Sequence, residues 1–171
     1  MNGQRSPAGL AAALAVLVVA ALVAAPPARA ETARFLEGLD TATVRALMLL
    51  TRENLAQAQM PDGEAVPEAT PEDASPVIPV PDGRLVVDAG IASDIAEWCG
   101  VEWSAGNFLP LMTWQRGRGR WDDRQIAYIG LLHGVAMGLT RTQAAASGDC
   151  PEETRARVGD WIDGRWSGGG D

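Results

Sequence analysis

The sequence contains few side chains of the types that perform chemistry. It has a single histidine, His133, two cysteines, Cys99 and Cys150, and no lysine. This set cannot form a four-ligand zinc site of the usual kind. The sequence also has neither a Gly-x-Ser-x-Gly nucleophile elbow nor a phosphate-binding loop that ends in lysine. We therefore expect a non-enzymatic protein with no catalytic residue, no bound metal and no cofactor.

His133 lies in an apolar stretch that runs from Ile126 to Leu139. We interpret it as a buried, neutral histidine that is hydrogen-bonded to a neighbour. Two sharper hypotheses stay open. His133 and Met137, one helical turn apart, could bind a soft metal such as copper in an exported compartment. Alternatively, protonation of the buried imidazole would place a charge in the core, which makes His133 a possible pH switch.

Cys99 and Cys150 are predicted to form one structural disulfide. An even number of cysteines in an exported chain favours pairing over free thiols. A redox-active pair is the alternative, but such cysteines normally lie close together in sequence, and these are far apart. The disulfide would close a long loop and stabilise the fold by about 4 kcal/mol through the restricted unfolded chain.

The sequence Arg116-Gly-Arg-Gly-Arg120 forms a basic cluster in an acidic protein. With Trp114 and Trp121 beside it, this cluster is our predicted binding site; its five residues are Arg116, Arg118, Arg120, Trp114 and Trp121. Arginine suits the phosphate or carboxylate groups of a lipid, glycan or protein partner. The alternative is a solvated loop between helices, which glycine breakers also explain.

A glycan hydrolase requires only two suitably separated carboxyl groups. Four acids lie near tryptophans and keep this hypothesis open: Glu97, Glu102, Asp122 and Asp123. Such acids are also common on helix faces and at helix caps, where they have no catalytic role.

Residues 1–30 resemble a secretory signal, with Arg5 before an apolar run, two prolines after it, and small residues at Ala28 and Ala30. We expect cleavage after Ala30, periplasmic localisation, and no transmembrane anchor in the mature chain, because the apolar run is shorter than the roughly 20 residues that span a bilayer. An uncleaved anchor is the alternative. Beyond residue 30 the chain has 12 basic and 22 acidic residues, a net charge of −10, which disfavours nucleic acid as a partner.

The rest of the chain divides by composition. Residues 31–60 have the spacing of an amphipathic helix, with an apolar stripe that comprises Val44, Leu47, Met48, Leu55 and Ala58. Residues 61–84, rich in proline and acids, are predicted to be a disordered linker whose end could form a short hairpin around residues 81–83. Residues 85–166 should form a disulfide-closed helical domain, and residues 167–171 a flexible tail.

Within the domain we predict helices over residues 91–104, 110–115, 122–146 and 151–163, with Ser93 or Asp94 capping the first. The fold class is therefore all-α, a small bundle of three to four helices. The almost entirely apolar stretch 126–139 should be the central helix. Its glycines, Gly130, Gly134 and Gly138, share one side and should allow another helix or an indole ring to approach closely.

Three functional hypotheses follow. The first is a binding or accessory module whose partner is an envelope protein or an anionic envelope component. The second is an acid-responsive periplasmic chaperone. A Trp-Cys pair at residues 98 and 99 opens a helical hairpin, and a second cysteine precedes a charged terminal helix with tryptophan. This layout is similar to that of the small acid-activated chaperones of the HdeA type, and the similarity covers the two-cysteine layout alone. The third is a peptidoglycan-acting glycan hydrolase.

Overall fold

The computed structural model describes residues 38–60, 63–66, 77–141 and 148–166. This part of the chain contains five α-helices and no strand, and one isolated bridge pairs Gln59 with Ala65. The helices are α1 (Thr41–Glu53), α2 (Val80–Cys99), α3 (Leu109–Gly117), α4 (Asp123–Met137) and α5 (Glu152–Trp166). The prediction of an all-α bundle is confirmed. The predicted signal peptide, tail, linker interior (67–76) and end of the long helix (142–146) lie outside the described residues.

Helix α1 is held in place at its N-terminus by a capping side chain and along its apolar stripe by packing. Asp40 caps it, because its carboxylate accepts hydrogen bonds from the backbone N–H groups of Ala42 and Thr43 at 2.8 and 3.0 Å. Val44, Leu47 and Met48 are buried against α2 and α4, as the predicted stripe requires. The amphipathic helix is therefore part of the bundle, and the three stripe residues that lie on α1 are covered.

Helix α2 begins at Val80, and this corrects two predictions. The proposed hairpin around residues 81–83 is wrong, and the end of the proposed linker (80–84) is helical. Proline at the first helical positions lacks only an N–H that would have no partner there, so Pro81 favours the start of a helix. Ser93 and Asp94, predicted as caps, lie inside α2 and are buried.

The central helix of the bundle is α2, whereas the sequence pattern indicated α4. Every residue of α2 from Ala89 to Ala96 is buried, and α2 packs against α1, α4 and α5. The close approach between α2 and α4 occurs at Gly90, where an added Cβ would lie 2.5 Å from the carbonyl oxygen of His133. Glycine is required there because the backbone of α4 occupies the space of a side chain.

The glycine ladder of α4 does not serve close packing, so that prediction is wrong. A Cβ added at Gly134 would meet no atom within 4 Å, and one added at Gly130 would meet Met112 at an ordinary 3.8 Å. Gly134 and Gly138 are exposed. The stretch 126–139 therefore has an outward face, made of small and apolar residues.

The predicted disulfide is confirmed. Cys99 ends α2 and is bonded to Cys150, which precedes α5, with the two Cα atoms 5.0 Å apart. The bond ties the start of α5 to the end of the central helix. Helix α5 buries Thr154, Val158 and Ile162. Among the described residues, no helix combines the length and apolar character needed to cross a membrane.

Candidate functional site

The basic loop at the end of α3 is held by an acid that the sequence analysis assigned to the linker. Asp82, in the first turn of α2, forms ion pairs with Arg118 at 3.0 Å and Arg120 at 2.5 Å. The side chain of Asp82 is 14% exposed, so its carboxylate is well placed to offset the positive charge of both arginines. No spacing rule connects residue 82 with residues 118 and 120, and the sequence carried no signal for this contact.

The two paired arginines also stack on tryptophans. The guanidinium of Arg118 lies 4.5 Å from the ring centre of Trp114, and that of Arg120 lies 4.0 Å from the ring centre of Trp121. Cation–π contacts of this kind order the long side chains. Four of the five predicted binding residues thus contact one another or Asp82, and an anionic ligand at this place would have to compete with Asp82.

Arg116, the fifth predicted binding residue, has a different environment. It is exposed, and it lies at the edge of an open groove of about 320 Å³ between α3, α4 and the segment that follows α1. We call this the groove, and its lining residues are Ala58, Gln59, Met112, Arg116, Ile126, Ala127, Gly130 and Leu131.

The groove wall is apolar, and its rim carries one positive charge. Six of the eight lining residues have apolar side chains or none, and Arg116 is the single charged residue among them. Leu109 lies on the same face of α3 as Met112 and is 54% exposed, so the apolar surface extends beyond the groove. On α4 it continues along the outward face to Gly134 and Val135.

A second constellation surrounds His133, inside the bundle. We call Ser93, Asn107 and His133 the histidine cluster; all three are almost fully buried. The Ser93 hydroxyl lies 3.0 Å from Nε2 of His133, and the Asn107 amide donates to Ser93 Oγ at 2.8 Å and to the carbonyl of Ala89 at 2.7 Å. The amide oxygen of Asn107 accepts a hydrogen bond from Nε1 of Trp166 at 2.8 Å.

Burial lowers the pKa of His133 to about 4, because the charged imidazolium would lose its hydration. The imidazole is therefore neutral at pH 7, and the Ser93 hydroxyl can donate to its Nε2 atom. The rings of Phe108 and Trp103 pack on the imidazole, with centroids 4.7 and 6.1 Å away. The interpretation of His133 as a buried, hydrogen-bonded residue agrees with this geometry.

The chain matches no family model, no curated protein and no solved structure. The groove, the basic loop and the histidine cluster are the features of the described residues that bear on its function.

The acids that could serve a glycan hydrolase have structural partners. Glu102 accepts the backbone N–H groups of Ser104 and Ala105, Asp122 accepts the N–H of Gln125 in a capping box, and Glu97 pairs with Arg141 at 2.7 Å. Asp123 is exposed in the first turn of α4. Within the described ranges, no three residues of the types His, Cys, Asp and Glu are grouped to hold a metal.

Proposed function

We propose that this protein is an exported, non-enzymatic binding module. Its groove holds a segment of another exported protein that presents apolar side chains and one carboxylate. The observation that carries the proposal is the groove itself, an open and mainly apolar surface with Arg116 at its edge.

The shape of the groove favours a protein segment over a small molecule. Pockets for small molecules are usually concave sites of about 300–1,000 Å³ that bury most of the ligand. The groove lies at the lower end of that range and is open to solvent. A helix or an extended segment lying in such a groove would cover the apolar wall and still reach the apolar surface around Leu109 and Val135.

The charge of the groove favours a carboxylate on the partner. The protein as a whole is strongly acidic, yet none of the described residues that line the groove is acidic. Arg116, unlike Arg118 and Arg120, has no ion pair to an acid of this chain among the contacts described, so its guanidinium is free to bind a partner carboxylate in bidentate geometry.

Export is supported by the sequence of residues 1–30 and is compatible with the disulfide between Cys99 and Cys150, which persists in oxidising compartments. We propose the periplasm as the place where the module works.

The experiment is site-specific photocrosslinking in intact cells, with the photoreactive residue at Ala127 in the groove and, as the control, at Arg45, which is exposed on α1. A partner that crosslinks from position 127 and not from position 45 is purified. Its affinity for four variants is then measured by calorimetry.

The variants form two matched pairs. Gly130→Leu places a side chain in the groove, and Gly134→Leu makes the same change one turn further along α4, outside the groove. Arg116→Glu reverses the charge at the rim, and Arg45→Glu reverses an exposed charge elsewhere. We expect Gly130→Leu and Arg116→Glu to weaken binding at least tenfold and the other two variants to bind within about twofold of wild type. Equal losses in both members of a pair would refute the groove as the binding site.

A further inference from the structure

Residues 103–108, which we call the aromatic cover, separate the histidine cluster from solvent. They comprise Trp103 and a π-helical turn, Ser104–Phe108, and they place Trp103 and Phe108 on the imidazole of His133. The outer side of the cover is held by α5. Ile162 packs against the backbone of Gly106, and Trp166 donates its hydrogen bond to Asn107.

A neutral imidazole with its proton on Nδ1 can accept a hydrogen bond from the Ser93 hydroxyl at Nε2, and a charged imidazolium cannot. When Nε2 of His133 carries a proton it must donate, and the hydroxyl of Ser93 can then no longer donate to it. Ser93 Oγ already accepts from Asn107, and the nearby carbonyl of Ala89 accepts from the same amide. Protonation therefore adds a buried charge and removes the acceptor that the serine hydroxyl uses.

In the part of the chain that the structure describes, the charged side chains near the cluster have other partners. On α2 the acids near Ser93 are Asp88, Asp94 and Glu97. The aromatic cover contains no charged residue, and Glu102 directly precedes it. The end of α5 carries Asp163 and Arg165. Burial raises the pKa of Asp88, which lies within electrostatic reach of Arg84 and of Arg165 in the last turn of α5. Asp94 accepts a hydrogen bond from Thr140 and lies near Arg141, Glu97 pairs with Arg141, and Glu102 accepts backbone N–H groups. Among the described residues, burial is the cause that shifts the pKa of His133, and no charge contributes.

We propose that the histidine cluster is a proton-operated latch: when His133 takes up a proton, the aromatic cover and the last turn of α5 leave the bundle and expose the rings of Trp103 and Phe108. The new property is a larger apolar surface in acid, because the rings of Trp103 and Phe108 are half-buried in the closed bundle. Such a surface is what a chaperone active only in acid requires, and it lies on residues that the groove does not use.

We expect the aromatic cover and α5 to move, and α2 and α4 to stay in the bundle, because α5 buries fewer side chains than α2. Helix α2 is buried along most of its length and contacts α4 backbone at Gly90, whereas α5 buries three residues. Elements with few buried contacts open at the lowest free energy. The Cys99–Cys150 bond keeps the start of α5 on the bundle, so α5 swings away at its Trp166 end.

The test is hydrogen exchange of the mature, disulfide-bonded protein, followed by mass spectrometry from pH 7 to pH 4 and corrected for intrinsic rates. The N–H groups of Asn107 and Phe108 both donate to the carbonyl of Trp103, so their exchange reports opening of the cover. In the open state His133 titrates near its ordinary 6.5, and in the closed state near 4. As the pH falls from 6.5 to 4, the contribution of His133 should therefore raise the opening constant tenfold per pH unit, roughly 300-fold in total.

His133→Gln keeps a neutral hydrogen-bonding side chain, and we expect its opening constant to lack the rise toward acid. Burial raises the pKa of Asp88 near Arg165, so the remaining pH dependence should favour the closed state in acid. Peptides from α1 and the first half of α2 should stay protected throughout. If the variant follows the wild-type curve, or if all peptides lose protection together, the latch is refuted.

Two further measurements keep the proposal testable if His133→Gln does not fold. The chain has one histidine, so its imidazole signal in NMR gives an unambiguous titration; a midpoint at or above pH 6 in the wild-type protein would overturn the latch. Trp166→Phe removes the N–H donor to Asn107 and should raise opening at pH 7 about fivefold. Trp161→Phe changes a ring that stacks with Arg165 and packs on the core, without a described hydrogen bond or ring contact to the cluster, and should leave opening within twofold.

Discussion

Two glycines on facing helices should respond to the same substitution with opposite signs. Gly90 lies where α2 meets the backbone of α4, and Gly134 lies on the outward face of α4 with no atom within 4 Å of an added Cβ. We predict that Gly90→Ala destabilises the protein and that Gly134→Ala stabilises it.

The magnitudes follow from the distances. A Cβ at position 90 would lie 2.5 Å from the carbonyl oxygen of His133 and 2.6 Å from the Cβ of Ala136, both well inside the 3.4 Å at which ordinary contact begins. Neither atom can rotate away, so α2 and α4 must separate by about 0.9 Å, and overpacking of this kind costs about 3 kcal/mol. Alanine returns about 1 kcal/mol of helix propensity in either helix. The net change is a loss of about 2 kcal/mol for Gly90→Ala and a gain of about 1 kcal/mol for Gly134→Ala.

The assay is urea and thermal unfolding at pH 7, monitored by circular dichroism at the helical band, with both variants and wild type in oxidised form. A difference of about 3 kcal/mol between the variants should separate their melting temperatures by about 10 °C. The reasoning would be refuted if Gly90→Ala melted at or above wild type, because the contact at Gly90 would then not restrict the approach of the helices. A lower melting temperature for Gly134→Ala would restore the close-packing role of the glycine ladder.

Three other outcomes are expected. Replacing both Cys99 and Cys150 with serine should lower the free energy of unfolding by about 4 kcal/mol, measured by urea denaturation, and a loss below 1 kcal/mol would contradict the loop-entropy account. Tyr128→Phe should cost about 1 kcal/mol in the same assay, because the tyrosine hydroxyl donates to the backbone carbonyl of Met48 at 2.7 Å; an unchanged stability would mean that this bond does not hold α1. Intact-mass analysis of protein recovered from the periplasm should give a chain that begins at Glu31, and a mass that includes residues 1–30 would contradict cleavage.

Several elements of the fold were predictable because their signals are local. The apolar spacing of α1, the Asp122 cap of α4 with its capping box, and the even cysteine count each depend on a few neighbouring residues. The start of α2 was missed for a physical reason. The sequence Pro79-Val-Pro-Asp-Gly83 has the composition of a turn, but its glycine lies inside α2 and leaves room for the sulfur of Met48, a contact that no local pattern indicates.

The candidate site was less predictable, because it depends on which face of a helix meets which neighbour. Composition identified the arginines of the basic loop but not Asp82, which pairs with Arg118 and Arg120 from far away in the sequence. Spacing identified the glycines of α4 but could not tell an outward face from a packed one. His133 was identified as buried, while its partners Ser93 and Asn107 lie on other elements and carry no motif.

The docking of α1 also limits when the chain can complete its fold. Met48 is joined to Tyr128, 80 positions later, and α1 is covered by helices that begin at Val80 and Asp123. During synthesis or transport the apolar stripe of α1 can meet α2 once residue 99 has emerged, but its full native surface forms only after Tyr128, when three quarters of the chain has emerged. Of the described helices α1 is the first in the sequence, and its packing is completed only by long-range contacts with α4.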